Sequence, residues 1–88
     1  MAIPAPHEDH PDRAVDITVN TKRVSIRPAK TTGLHIKEAA IAQGVQIELS
    51  FQLSEELLNR RKKIIGNDDY ITVHEGERFI AVADDDNS

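Results

Sequence analysis

One helix-forming segment lies within a chain that otherwise alternates apolar and polar residues, and this pattern constrains the fold most. Residues 15–20 alternate with a period of two, which is typical of a strand with one buried side. Residues 20–22 predict a tight turn, and residues 23–27 alternate again before Pro28, which cannot donate to a sheet ladder. Two strands joined by so short a link are expected to pair as a hairpin.

The helix is predicted between a pair of threonines and a glycine. Either threonine, Thr31 or Thr32, can accept a hydrogen bond from the free amides of a first turn, and Gly44 suits a left-handed cap. Residues 34–43 include Lys37, Glu38 and three alanines, which are residue types that favour a helix. The apolar residues fall on two lines, and the pattern leaves open which line faces the sheet. These lines are Ile36 with Ala40 and Leu34 with Ile41.

The segment after the helix holds the longest alternation in the chain. Residues 45–53 place apolar side chains at every second position and predict a strand. Residues 54–61 could begin a helical turn, but we favour a loop that leads to a short strand at 62–65. Residues 62–65 are therefore expected to form a further strand of the sheet.

Turns separate the last apolar segments. Residues 66–69 and 74–77 are rich in glycine, asparagine and acidic residues, and both are predicted turns. A short apolar segment, 70–73, lies between them, and the last strand, 79–82, follows the second turn. If the first and last strands lie side by side in the centre of the sheet, they run parallel and the helix crosses one face.

This order predicts an α+β protein with the ubiquitin-like β-grasp fold, a mixed sheet of four to five strands packed on one helix. Alternation also predicts which residues cover the helix side of the sheet. They are Ile17, Val19, Val24, Ile26, Leu49, Phe51, Phe79 and Ala81.

Composition excludes several classes of function. After the ends are trimmed, a core of about 70 residues is too small to enclose a deep substrate cavity, so we expect no enzyme. There is no cysteine, the net charge is −4, and the aromatic residues are one Tyr and two Phe, which argues against thiol chemistry and nucleic-acid binding. No stretch approaches the length of a membrane span, and we expect a cytoplasmic protein without cofactor, metal site, nucleic-acid partner or membrane partner.

The two ends of the chain differ in composition from the middle. Residues 1–14 hold three prolines and little apolar surface, and they are predicted to form a disordered leader. Residues 15–83 form the predicted domain. Residues 84–88 follow the last strand as a flexible acidic tail of three aspartates, Asn87 and Ser88.

Several segments of the chain are similar to ubiquitin. They resemble more closely the bacterial ubiquitin-like proteins of the multiubiquitin-domain family, which occur beside conjugation-type enzymes. The similar segments are Thr32-Gly33-Leu34-His35-Ile36-Lys37-Glu38-Ala39-Ala40, Phe51-Gln52-Leu53, Gly66-Asn67-Asp68-Asp69, Arg78-Phe79 and Asp85-Asp86-Asn87-Ser88. The resemblance covers roughly residues 15–88. It implies a protein modifier whose carboxylate is adenylated by an ATP-using activating enzyme, passed to a conjugating enzyme and transferred to target proteins, with a peptidase that trims or removes it.

One departure from this pattern affects the tail. Ubiquitin and related sulfur carriers carry paired glycines where this sequence has Asn87 and Ser88. Three explanations are open. Either the partner enzymes accept side chains at these positions, or processing exposes a new end, or the protein is never conjugated. We favour removal of Ser88 by a companion peptidase, so that Asn87 carries the activated carboxylate. The missing glycines make a sulfur carrier a poor alternative.

Other residues are candidates for contacts with the partner enzymes. Asp84, Asp85 and Asp86 predict a groove lined by Arg or Lys on the activating enzyme. Alternation turns Ile80 and Val82 away from the helix, where they would form a small docking patch beside Glu48 and Ser50, the polar residues expected on the adjoining strand.

The basic run, residues 60–63, either contacts an acidic partner or offers Lys62 and Lys63 as possible acceptor amines for chain formation. The competing hypothesis is a non-covalent β-grasp adaptor that binds partners through its sheet and is never conjugated.

Overall fold

A five-stranded sheet lies behind one helix, with a two-stranded sheet beside it, in the computed structural model, which describes residues 14–83. The strands are β1 (Val15–Val19), β2 (Lys22–Ile26), β3 (Lys30–Thr32), β4 (Gln52–Glu56), β5 (Lys62–Ile65), β6 (Tyr70–Thr72) and β7 (Arg78–Val82), and helix α1 (Gly33–Ala42) follows β3. The order of strands in the larger sheet is β2-β1-β7-β4-β5, and the smaller sheet pairs β3 with β6.

The central pair of strands, β1 and β7, is parallel, and the other neighbours in the sheet are antiparallel. This arrangement confirms the predicted α+β grasp fold with a mixed sheet on one helix.

The predicted hairpin is confirmed, with β2 beginning one residue earlier than expected. Asn20 (φ 52°) and Thr21 (φ 69°) both lie in the left-handed region, as a two-residue hairpin turn requires to match the twist of its strands. Asparagine tolerates this conformation, whereas β-branched Thr21 adopts it at a cost. The turn therefore carries strain at one position.

The predicted helix is also confirmed, and the structure decides which side faces the sheet. Thr32 is the N-cap, and its Oγ1 accepts a hydrogen bond of 3.2 Å from the His35 amide. Ile36 and Ala40 are fully buried, while Ile41 is 39% exposed. After the helix, Gly44 adopts φ +99°, the left-handed conformation that glycine accepts without strain.

The prediction for residues 45–53 was wrong over most of its length. Residues 45–51 form an irregular loop, and β4 begins only at Gln52 and continues to Glu56, through the first three residues of the segment 54–61 that we expected to be a loop. The reason is Lys37, whose buried Nζ donates to the carbonyls of Leu49 (2.7 Å) and Phe51 (2.8 Å), groups that a strand would pair with a neighbour. Leu49 is 44% exposed, so its predicted place on the covered face was wrong as well.

The pairing of β3 with β6 was not predicted. Thr31 was expected only to begin the helix, but it lies in β3 opposite Ile71. Each strand has three residues, too few for an alternating pattern to stand out.

The core lies between α1 and the sheet. It includes every residue that we placed on the covered face except Leu49, which is exposed, and Phe51, which is partly buried and packs against the core. The buried apolar residues are Ile17, Val19, Val24, Ile26, Ile36, Ala40, Val45, Ile47, Leu53, Ile65, Val73, Phe79 and Ala81.

Candidate functional site

Strand β7 occupies the centre of the sheet and leads directly towards the tail. Phe79 (1% exposed) and Ala81 (2% exposed) point into the core. Ile80 is half-buried and Val82 is 51% exposed, so both lie on the side of the sheet opposite α1, which we call the uncovered face. The structure therefore brings the two predicted docking residues onto one face, and their role in docking stays a prediction.

Asn20 holds the end of β7, a role that sequence reasoning missed because the residue looked like part of a turn. Strand β1 ends at Val19, so the backbone of Ala81 has lost its partner on that side. The Asn20 side chain replaces it, since its Nδ2 donates to the Ala81 carbonyl (3.0 Å) and its Oδ1 accepts from the Ala81 amide (2.8 Å). This pair of hydrogen bonds fixes β7 almost to the last described residue, Ala83.

The docking residues have a third apolar neighbour that the sequence did not identify. Ser54 lies opposite Ile80 on one side and opposite Ile64 of β5 on the other, which places the three side chains in one row. Ile64 is 59% exposed. The strand register alone tells which residue of β5 points outward, because residues 62–65 alternate too briefly to show it.

The polar neighbours of the docking residues differ from those we expected. Glu48 and Ser50 were expected on the adjoining strand, but they lie in the 45–51 loop. The adjoining strand is β4, which places Gln52 opposite Val82 and Glu56 opposite Arg78. The uncovered face therefore has apolar residues bordered by polar and charged groups.

The two candidate acceptor lysines point to opposite sides of the sheet. Lys62 lies opposite Glu56 on the uncovered face, and Lys63 lies opposite Glu55 on the helix side. Both are exposed, in contrast to Lys37, which is 4% exposed and whose pKa is lowered by burial. Accessibility thus allows Lys62 and Lys63 the acceptor role, and it excludes Lys37 in the folded domain.

The hairpin between β4 and β5 holds the start of the basic run in a strained turn. The Arg60 amide donates to the Leu57 carbonyl (3.1 Å), and the Leu57 amide donates to the Arg61 carbonyl (2.8 Å). Arg60 adopts φ 69°, the position in such a three-residue loop that glycine usually occupies. A charged residue is thus placed where backbone geometry favours glycine.

An open cleft of about 680 Å³ lies beside Arg78, at the start of β7 and far from Val82. Carboxylates, arginines and leucines line it: Glu55, Glu56, Leu57, Leu58, Arg60, Glu75, Gly76, Glu77 and Arg78. Burial raises the pKa of the Glu55 carboxyl, and the negative charge of Glu77 raises it further. Residues 14–83 contain no group of three His, Cys, Asp or Glu side chains placed so that together they could hold a metal ion.

The predicted tail residues Asp84, Asp85, Asp86, Asn87 and Ser88 lie outside the described residues, as does the leader up to residue 13. Their charge still matters for the rest of the molecule. Residues 14–83 hold ten Lys and Arg residues against nine Asp and Glu residues, whereas the whole chain has 11 against 15. The negative net charge of the protein therefore resides in its two end segments.

The one helix among the described residues is too short to cross a membrane.

The amino-acid sequence matches a family model over all of these strands and the helix. Residues 15–85 match the model described as Multiubiquitin. Searches of curated proteins and of solved structures found no match. The matched range contains the whole sheet, the helix and the first two aspartates of the tail.

Proposed function

Because this chain belongs to the Multiubiquitin family, we propose that it is a ubiquitin-like protein modifier rather than an enzyme. A companion activating enzyme, which would bind the ATP, activates the carboxylate of the tail, and a conjugating enzyme transfers it to target proteins. The observation that carries this proposal is the position of β7, which is fixed in the centre of the sheet up to Ala81 and is followed at once by the tail. From the resemblance we infer a bacterial, cytoplasmic pathway.

The reach of the tail supports the handover. Six residues follow Val82, and at no more than about 3.6 Å each they span roughly 20 Å when extended. That length is enough to enter a cleft of an enzyme while the folded domain rests outside it.

We propose that a companion peptidase removes Ser88, which leaves Asn87 with the carboxylate that is activated. The test is intact-mass measurement of the protein recovered with the companion peptidase and with a catalytically dead form of that peptidase. Loss of the mass of one serine residue with the active peptidase alone is expected. A Ser88 terminus in both samples would contradict the processing step.

The three aspartates of the tail provide a charge that the activating enzyme can recognise. We expect Asp84, Asp85 and Asp86 to enter a groove lined by Arg or Lys residues, since complementary charges speed and orient association. Changing all three to lysine should abolish activation and leave the fold unchanged. A matched control with the same change in net charge replaces Glu38, Glu48 and Asp68 by lysine, three residues that the structure places on the exposed surface. Equal activation of both variants would count against the groove.

Docking of the folded domain is assigned to Ile80 and Val82 on the uncovered face. An apolar patch with a polar border is typical of transient protein interfaces. Ile80→Asp should abolish partner binding while the thermal transition of the domain remains. Ser25→Asp, which adds the same charge to the same face on β2, is the control and should bind normally. Normal binding of Ile80→Asp would refute this patch.

Chain formation is proposed at Lys62 and Lys63. Both amines are exposed and unlike Lys37 do not donate to backbone carbonyls of the described residues. The double change to arginine keeps the charge and removes both primary amines. It should eliminate linked chains of the protein while single attachment to targets continues, as read by mass spectrometry of the conjugates.

The uncovered face also favours a second candidate, a non-covalent adaptor. Its three apolar residues, Ile64, Ile80 and Val82, lie within the folded domain and do not need the tail for binding. Deleting Asn87 and Ser88 separates the two functions. An adaptor keeps its activity after this deletion, and a modifier loses it.

A further inference from the structure

The two edges of the five-stranded sheet differ in whether their outward backbone groups are used. Strand β2 forms one edge and strand β5 the other. On β2, the Ser25 amide donates to Gln43 Oε1 (2.9 Å), and Gln43 Nε2 donates to the Ser25 carbonyl (2.8 Å). One side-chain amide therefore occupies both outward groups of Ser25, one of the two β2 residues whose backbone faces away from the sheet, and an incoming strand could not pair there.

The register of β5 shows which of its backbone groups face outward. Leu57 lies opposite Arg61 in the ladder that pairs Glu55 with Lys63, and the Leu57 amide donates to the Arg61 carbonyl. Hydrogen-bonded pairs alternate along an antiparallel ladder. The amides and carbonyls of Arg61, Lys63 and Ile65 thus face β4, and those of Lys62 and Ile64 face away from the sheet.

The outward groups of Lys62 and Ile64 match what an added strand requires. They provide two amides and two carbonyls, spaced two residues apart on one edge, and no hydrogen bond from residues 14–83 reaches them. An extended peptide can add to a sheet edge through such groups, with alternate side chains supplying specificity. Ile64, which is 59% exposed, offers an apolar contact for those side chains.

Charge selects the kind of strand that fits this edge. Arg60, Arg61, Lys62 and Lys63 are all exposed and lie on β5 or in the loop before it. Antiparallel pairing of β5 with the same strand of a second copy would bring two such basic runs together, and like charges on an edge disfavour that pairing. An acidic peptide meets the same run with complementary charge.

We propose that the β5 edge binds an extended, acidic segment of a partner protein, in which alternating aliphatic residues are flanked by aspartate or glutamate. The segment forms backbone hydrogen bonds with Lys62 and Ile64, places an aliphatic side chain beside Ile64 on the uncovered face, and sets its acidic residues against the basic run. This site is independent of the tail carboxylate, and it adds a peptide-recognition surface to the proposed modifier.

The experiment titrates the full chain with the peptide DDIVIVDD and follows backbone amides by NMR. Saturable binding is expected, with slowed hydrogen exchange at the Lys62 and Ile64 amides and no change at the Ser25 amide. The peptide KKIVIVKK should bind at least about tenfold more weakly, because its charges oppose the basic run. Equal affinity for the two peptides, or no protection of the two edge amides, would overturn the proposal.

Two proline variants separate backbone pairing from side-chain contact. Ile64→Pro removes one outward amide, and proline is tolerated at that position of an edge strand. It should weaken binding of DDIVIVDD about tenfold. Ile64→Thr keeps the amide and should weaken it less. Arg23→Pro removes an outward amide and a positive charge from the β2 edge, and this control should bind within about twofold of the unchanged protein.

The remaining outcomes have definite meanings. Wild-type affinity of Ile64→Pro would overturn the edge site. Concentration-dependent protection of the Lys62 and Ile64 amides without peptide, removed by changing Asp84, Asp85 and Asp86 to lysine, would show that a second copy occupies the edge through its tail. That result would overturn the proposal that the bound segment belongs to a different protein. Failure of peptide binding leaves the conjugation assays of the modifier function unaffected, so the two proposals fail separately.

Discussion

The two sides of β7 are fixed by different forces, and the difference separates what holds the domain together from what is free to bind. On the helix side, Phe79 and Ala81 are almost completely buried. On the uncovered face, Ile80 and Val82 are partly accessible and are bordered by polar residues of β4. Alternate residues of this five-residue strand therefore pack in the core, and the others lie on the surface.

The largest predicted effect compares one residue from each side of β7. Phe79→Ala should lower the free energy of unfolding by about 3–5 kcal/mol, because it removes a large side chain from the core, and in so small a domain it can unfold the protein. Val82→Ala should change it by less than about 0.5 kcal/mol. Urea denaturation followed by circular dichroism checks both variants. Similar losses would contradict the division between the two sides.

A second comparison uses two lysines. Lys37→Met should destabilise the protein by about 2 kcal/mol, because hydrogen bonds from a charged group to the carbonyls of Leu49 and Phe51 are lost. Lys62→Met on the uncovered face is the control and should be close to neutral. Chemical denaturation gives both values. If both changes are neutral, Lys37 does not hold the 45–51 loop in place.

The hairpin beside the uncovered face should respond in the opposite direction. Arg60→Gly is expected to raise the free energy of unfolding by about 0.5–1 kcal/mol, because glycine adopts the left-handed conformation of this position without strain. Asn59→Gly, at the neighbouring position without a positive φ, should lower stability or leave it unchanged. Thermal unfolding distinguishes the two, and a lower midpoint for Arg60→Gly would contradict the strain.

The smallest effect concerns Glu55, which lies on the helix side at the end of β4. The pKa of its carboxyl in the folded state is raised above the unfolded value of 4.5 by burial and by Glu77. Between the unfolded and the folded pKa, the folded protein therefore binds more protons than the unfolded protein. Stability should therefore fall as the pH rises through that window. Glu55→Gln should flatten the fall and stabilise the protein slightly at neutral pH. An NMR titration that finds the pKa of Glu55 at or below 4.5 would exclude this contribution.

Much of the fold follows from local patterns in the sequence. The β1–β2 hairpin, the helix between Thr32 and Gly44 and the last strand were predicted because alternation, a cap residue and a glycine each leave a short-range mark. The error at residues 45–53 arose because a loop that buries Val45 and Ile47 shows the same alternation as a strand. The buried lysine that bonds this loop lies on the helix, and no local pattern reveals such a contact.

The candidate site was predictable only in part, for the same reason. Alternation identified Ile80 and Val82 as outward residues, since they belong to a strand with clear periodicity. The roles of Asn20 and Ile64 depend on which strands become neighbours, which the sequence of one strand does not contain. The predicted domain boundaries, the groove for the aspartates and the processing of Ser88 stay predictions.

The proposed attachment of the tail to target proteins can be measured directly by mass spectrometry of tryptic peptides from conjugates recovered with a tagged form of the chain. Trypsin cuts after Arg78 and finds no later Lys or Arg in this sequence, so a linked target lysine keeps residues 79–87, or 79–88 if Ser88 is retained. The account predicts lysines of other proteins that carry this remnant through its terminal carboxylate. Recovery of the unlinked peptide alone, when the activating and conjugating enzymes are present and active, would contradict the modifier function.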